Sequence, residues 1–110
     1  MVETLFVYGT LAPGRPNEHI LKEIGGSWQD AMVLGRLKEE GWGATMGYPG
    51  IELDTHGEEV KGFVFTSENL SDHWHMLDDF EGKEYARVLT EAKLPNGSSV
   101  NTYIYTLRNS

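Results

Sequence analysis

The 110 residues carry nine Lys and Arg against 17 Asp and Glu, a formal net charge of −8, and no cysteine. That leaves room for a single domain, residues 1–110, around one modest core, and it excludes disulfides, thiolate metal sites and cysteine nucleophiles. The cations are scattered and the net charge opposes a phosphate backbone, so nucleic acid is not an expected partner. Met1 to Tyr8 has no basic n-region and only a short apolar run, so neither a signal peptide nor a membrane span is expected there. Without cysteines the chain fits a cytoplasmic setting.

In chain order, residues 4–8 read as a buried strand closed by Gly9. Gly9 to Pro16 is a loop punctuated by Gly9, Pro13, Gly14 and Pro16. Asn17 is placed to cap a short helix whose stripe is Ile20, Leu21 and Ile24 and which Gly25-Gly26 ends. Residues 28–37 read as a strand, 40–50 as a Gly-rich irregular loop containing Tyr48-Pro49, and Ile51–Leu53 as a short strand before the turn 54–57. From Val60 to Thr66 both faces carry apolar residues, Val60 and Val64 on one and Phe63 and Phe65 on the other, the pattern of a central strand.

Leu70, Trp74, Leu77 and Phe80 form one apolar stripe and predict the main helix over 68–80, capped by Ser67 or Ser71 and ended by Gly82. Residues 85–94 and 99–107 flank Pro95-Asn96-Gly97-Ser98, a hairpin in which Asn96-Gly97 supplies positive φ angles. The whole predicts an α+β domain whose mostly antiparallel sheet curls toward a barrel to hide its edges.

Two segments suit chemistry. At Tyr8-Gly9-Thr10-Leu11 a buried strand runs into a glycine loop, which is either a plain turn or a nest of backbone N–H groups for a carboxylate or oxyanion. At residues 77–87, Asp78, Asp79, Glu81 and Glu84 crowd the end of the main helix against its macrodipole. That field predicts a raised pKa for Glu81, suited to a general acid/base. The alternative is a solvated acidic face with Asp78 and Asp79 as surface residues.

Other constellations fail on spacing. His73 and His75, two apart, do not share a helix face, and His19 and His56 are isolated, so neither a metal site nor a cofactor is expected. No GxSxG, P-loop or GxGxxG occurs. Trp28, Trp42 and Trp74 read as core or pocket wall, not as a cation–π cage.

Phe6-Val7-Tyr8-Gly9-Thr10-Leu11, Tyr48-Pro49-Gly50 and Leu77-Asp78 … Phe80-Glu81-Gly82 … Tyr85-Ala86-Arg87, in this order and spacing, resemble the γ-glutamylcyclotransferase-like (AIG2-like) family. The resemblance implies a small mixed β-barrel with flanking helices and a cofactor-independent enzyme acting on a small γ-glutamyl substrate. It implies Glu81 as the catalytic residue, with Tyr8, Gly9, Thr10 and Leu11 holding the substrate through their backbone and Tyr85, Arg87 and Tyr105 near the pocket. Arg87 reads equally well as the partner of a nearby carboxylate. An amidase or acyl-transfer activity, or a non-catalytic amino-acid or anion receptor, is compatible with the same residues.

Overall fold

The computed structural model describes residues 2–9, 11–38 and 50–107. Along the chain these form β1 (Glu3–Val7), α1 (Glu18–Ile24), β2 (Ser27–Lys38), β3 (Gly50–Leu53), β4 (Glu58–Ser67), a 3-10 turn (Leu70–Asp72), α2 (Trp74–Glu81), β5 (Tyr85–Lys93) and β6 (Ser99–Leu107). The Gly-rich segment 40–49, with Tyr48-Pro49 and Trp42, lies outside the described residues, as does Thr10.

The strands run in the order β3-β2-β4-β1-β6-β5, and a β2–β5 pairing at Met32↔Lys93 bends the sheet round on itself. Five strands make a closed mixed barrel and β3 adds to β2 as a sixth. β1 lies in the middle, antiparallel to β4 (Leu5↔Phe65) and parallel to β6 (Phe6↔Ile104).

Alternation along the strands divides the core in two. Phe6, Ala31, Val33, Ile51, Val60, Val64, Ala92 and Ile104 fill the barrel. Their neighbours Leu5, Val7, Phe65 and Tyr105 point the other way and pack with Leu21, Ile24, Leu70 and Leu77 of the helical layer. This is why the central strands are apolar on both faces.

The main helix is shorter than its stripe predicts. Residues 70–72 form a 3-10 turn and α2 begins only at Trp74, with His73 and not a serine at its N-cap. The cause is Asn69, whose carbonyl bonds the Asp72 N–H at 3.2 Å and the His73 ring Nδ1 at 2.7 Å. Ser67 caps the preceding turn instead, its hydroxyl accepting the Asn69 N–H at 3.0 Å. The stripe itself faces the core: Leu70 and Leu77 are buried, and Trp74 and Phe80 pack beside them. Asn17 stands at the N-cap of α1 but makes no side-chain capping bond.

The hairpin turn also differs in detail. Among the described residues no non-glycine has positive φ, so Asn96 does not contribute one and Gly97 (φ 89°) does so alone. The Gly97 N–H donates to the Leu94 carbonyl at 3.0 Å, and the Leu94 N–H to the Ser98 carbonyl at 2.8 Å. That is a tight turn followed by a left-handed glycine, a usual way to join two strands through a slightly longer loop.

Candidate active site

β1, β5, β6 and α2 bring their ends together. The parallel register of β1 and β6 carries Tyr8 toward Tyr105, and the β5–β6 hairpin sets Arg87 opposite Tyr105 and Tyr85 opposite Leu107. Glu81 is the last residue of α2, where Gly82 at φ 85° stops the helix and donates its N–H to the Asp78 carbonyl at 3.0 Å.

Glu81 is half-buried. Burial pushes its carboxyl up to about 7, against an ordinary 4.5. The direction agrees with the sequence reading, and the cause is burial: desolvation raises this group, a contribution that the sequence reading did not name. Of the acids at the end of this helix, Asp79 is exposed and pairs with His75 one helical turn back.

Tyr8 turns its ring into the barrel, stacked on Phe6 at 6.3 Å. Its hydroxyl donates to the Tyr105 carbonyl at 2.8 Å and accepts the Ile51 N–H at 2.9 Å. Burial first, and then the charge of Glu81 and the neighbouring Tyr85, keep this phenol protonated far above neutral pH, the Ile51 bond opposing only in part. The hydroxyl therefore ties β1, β3 and β6 together, and the chain re-emerging from residues 39–49 is anchored next to it. Tyr105 is likewise held protonated, by burial and by its bond to Asp78, with Glu81 adding to the effect. Glu81, Tyr8 and Tyr105 thus lie within electrostatic reach of one another, with Tyr85 beside Tyr8.

Leu11 and Ala12 are buried in the helical layer and pin the loop after β1, and the Ala12 N–H closes a turn onto the Gly9 carbonyl at 3.1 Å. Thr10, within that turn, lies outside the described residues. Tyr85 is buried in the same layer.

Arg87 does pair with a carboxylate, and the partner is Asp78. Its Nε and Nη2 donate to the two Asp78 oxygens at 3.0 and 3.3 Å, and the Tyr105 hydroxyl donates to Oδ1 at 2.7 Å. Burial acts to raise the Asp78 carboxyl, but the bonds from Tyr105 and Arg87 outweigh it and hold the group below the usual carboxylate range. Asp78 is therefore not a plain surface residue. The Arg87 guanidinium also stacks over Trp74 at 4.3 Å and Tyr103 at 4.9 Å, so Trp74 makes a cation–π contact that the sequence reading set aside. The Trp74 indole N–H donates to Glu3, which locks α2 to the start of β1. The available signal was an acid and an arginine nine positions apart on either side of a helix-ending glycine.

Among the described residues no three His, Cys, Asp or Glu side chains are grouped to hold a metal, and no helix is long and apolar enough to cross a membrane.

The chain belongs to the gamma-glutamyl cyclotransferase, AIG2-like family, whose model matches residues 5–110. Its fold is that of several solved structures. A mouse (Mus musculus) AIG2-like protein superposes with a TM-score of 0.75 at 24% identity, over 99% of this chain and 79% of that one. An Arabidopsis thaliana protein solved in solution gives 0.75 at 26% identity, over 98% and 70% of the two chains. A gamma-glutamyl cyclotransferase gives 0.70 at 17% identity, over 99% and 68%. No curated protein matches the sequence significantly.

Proposed function

We propose that this chain is a γ-glutamylcyclotransferase-type enzyme, converting the γ-glutamyl group of a γ-glutamyl amine or amino acid into 5-oxoproline with release of the free amine. The reading rests above all on Glu81, a carboxyl that burial brings to about 7 at the meeting point of β1, β6 and α2. A base is most useful when its pKa lies near the working pH, because it can then both take and return a proton.

In this reaction the substrate's α-ammonium first loses one proton to solvent, which the released amine takes up again at the end of the cycle. The neutral amine attacks the γ-carbonyl carbon of the same molecule, and Glu81 takes the proton that the new C–N bond makes acidic. Glu81 returns it to the departing nitrogen as the original C–N bond breaks, leaving 5-oxoproline and an amine. Nucleophile and electrophile share one molecule, so the protein's main task is to hold the ring-forming conformer. In this reading the backbone of Tyr8, Gly9, Thr10 and Leu11 receives the α-carboxylate and steadies the oxyanion, and Tyr85 and Tyr105 wall the pocket. Tyr8 contributes backbone and ring only, since its hydroxyl is engaged by Tyr105 and Ile51. Proton transfer on a tethered nucleophile needs no metal, so turnover is expected to survive exhaustive chelation, and its loss with recovery on added zinc or manganese would count against the scheme.

The test is a panel of γ-glutamyl amines, γ-glutamyl amino acids and ε-(γ-glutamyl)-lysine, with 5-oxoproline, glutamate and free amine all measured. The expected result is 5-oxoproline in equal amount to the released amine. Glutamate in its place means hydrolysis by an amidase, and binding without turnover across the panel means a receptor; either overturns the proposal.

A further inference from the structure

Asp78, Arg87 and Tyr105 form one unit beside Glu81. The Asp78 carboxylate is gripped at both oxygens by Arg87 and takes a third bond, at 2.7 Å, from the Tyr105 hydroxyl. Arg87 cannot swing away, because its guanidinium stacks over Trp74 and Tyr103. Tyr105 in turn accepts the Tyr8 hydroxyl on its carbonyl. Glu81 stands three residues after Asp78 on the same short helix, near enough on its surface for the two side chains to interact.

We propose that Asp78 is a positioning residue, which fixes Tyr105 beside Glu81 and, locked to Arg87, presents Glu81 with an ion pair of no net charge. The proposal rests on Glu81 being the group that titrates during function.

Among the described residues, the titratable and charged groups around Glu81 are Asp78 and the exposed His75–Asp79 pair on its own helix, Tyr85 and Arg87 on β5, Tyr105 on β6 and Tyr8 at the end of β1. Lys83 and Glu84 follow in the exposed turn beyond Gly82. Tyr8 and Tyr105 are neutral at working pH, since burial holds their phenols protonated. The fixed charges within the hydrogen-bonded network are the two of the Asp78–Arg87 pair, one of each sign.

Cancellation has a consequence that a merely structural ion pair lacks. Asp78→Asn leaves the arginine's positive charge unopposed, which favours the Glu81 carboxylate and moves its midpoint to lower pH. Arg87→Gln leaves the aspartate unopposed and moves the midpoint to higher pH. The double variant, with a neutral and still hydrogen-bonding pair, returns toward wild type. Tyr105→Phe removes the bond to Asp78 without changing any charge, so it lowers kcat/KM while leaving the midpoint in place.

The experiment follows the Glu81 side-chain carboxyl by carbon NMR in the intact glutamate-labelled protein, assigned with Glu81→Gln, across pH 5 to 9, alongside the pH profile of kcat/KM. The resonance reports the midpoint whether or not the protein turns over, so absence of cyclotransferase activity and failure of this proposal are separate outcomes. Shifts of at least about half a pH unit in opposite directions for the two single variants, reversed in the double, are expected. Midpoints that stay together, or move the same way, overturn the proposal. Should Asp78→Asn not fold, Arg87→Gln and the double variant still decide it: an upward shift that the second change cancels supports the proposal, and no shift overturns it.

Discussion

At neutral pH a carboxyl that titrates near 7 is about half protonated, and for Glu81 this state has a measurable cost to the fold. The folded pKa lies above the ordinary 4.5, so between those values the native protein holds a proton that the unfolded chain has released. Stability from this group is complete below about 4.5 and is lost as pH rises through about 7, by a ceiling on the order of 3 kcal/mol. Glu81→Gln removes the titration. Paired thermal melts should therefore show the variant gaining on wild type between pH 5 and pH 8, and parallel curves would show that the carboxyl is not desolvated in solution. Asp78 behaves oppositely: its lowered carboxyl stabilises the fold above the ordinary aspartate range and ceases to do so as the pH falls through its own pKa. Two carboxyls three residues apart on one helix are thus held on opposite sides of the usual value, Glu81 by burial and Asp78 by its bonds to Tyr105 and Arg87.

α2 is the element that carries Glu81, and two of its anchors are the single residues Leu77 and Gly82. Leu77 is fully buried against the sheet, so Leu77→Ala should cost about 2–5 kcal/mol in denaturant unfolding. Gly82 leaves the helix at φ 85° and ψ −173°, a conformation that is almost exclusive to glycine. A Cβ there would meet nothing within 4 Å, so Gly82→Ala should lose about 1–3 kcal/mol from backbone strain alone. A loss below about half a kcal/mol would show that this backbone geometry is not kept in solution. Both anchors were legible in the sequence, Leu77 from the 3.6-residue stripe and Gly82 from its place after the last apolar residue. The strand order of the barrel and the late start of α2 were not. Strand order depends on contacts that no local window contains, such as the Tyr8 hydroxyl to Tyr105 across 97 residues, and Asn69, whose carbonyl shapes the 3-10 turn, is itself held by the Ile24 carbonyl 45 residues away. The same holds for the site. Glu81 stood out by its acidic neighbours, whereas the burial that raises its pKa is a property of the assembled strands.

Over the whole molecule, 17 acids face nine bases, and among the described residues the pairs Lys22–Glu18, Arg36–Asp54, Lys38–Glu52 and His75–Asp79 lie at the surface. Such pairs contribute little, while the excess of like charge works against compactness. Raising salt from about 20 to about 300 mM should therefore raise Tm, because screening relieves the repulsion more than it weakens the pairs. A fall in Tm would mean that the surface pairs dominate. In the proposed reaction the barrel, the helical layer and the loop after β1 together serve Glu81, and turnover by the Glu81→Gln protein tests that directly. The substitution keeps size and hydrogen-bonding reach and removes the proton acceptor. If Glu81 moves the proton, release of 5-oxoproline from a γ-glutamyl amide should fall by about 10²–10⁴ in kcat, with KM little changed and the circular dichroism spectrum intact. A folded Glu81→Gln protein that forms 5-oxoproline at the wild-type rate would contradict the assignment of Glu81 as the acid/base.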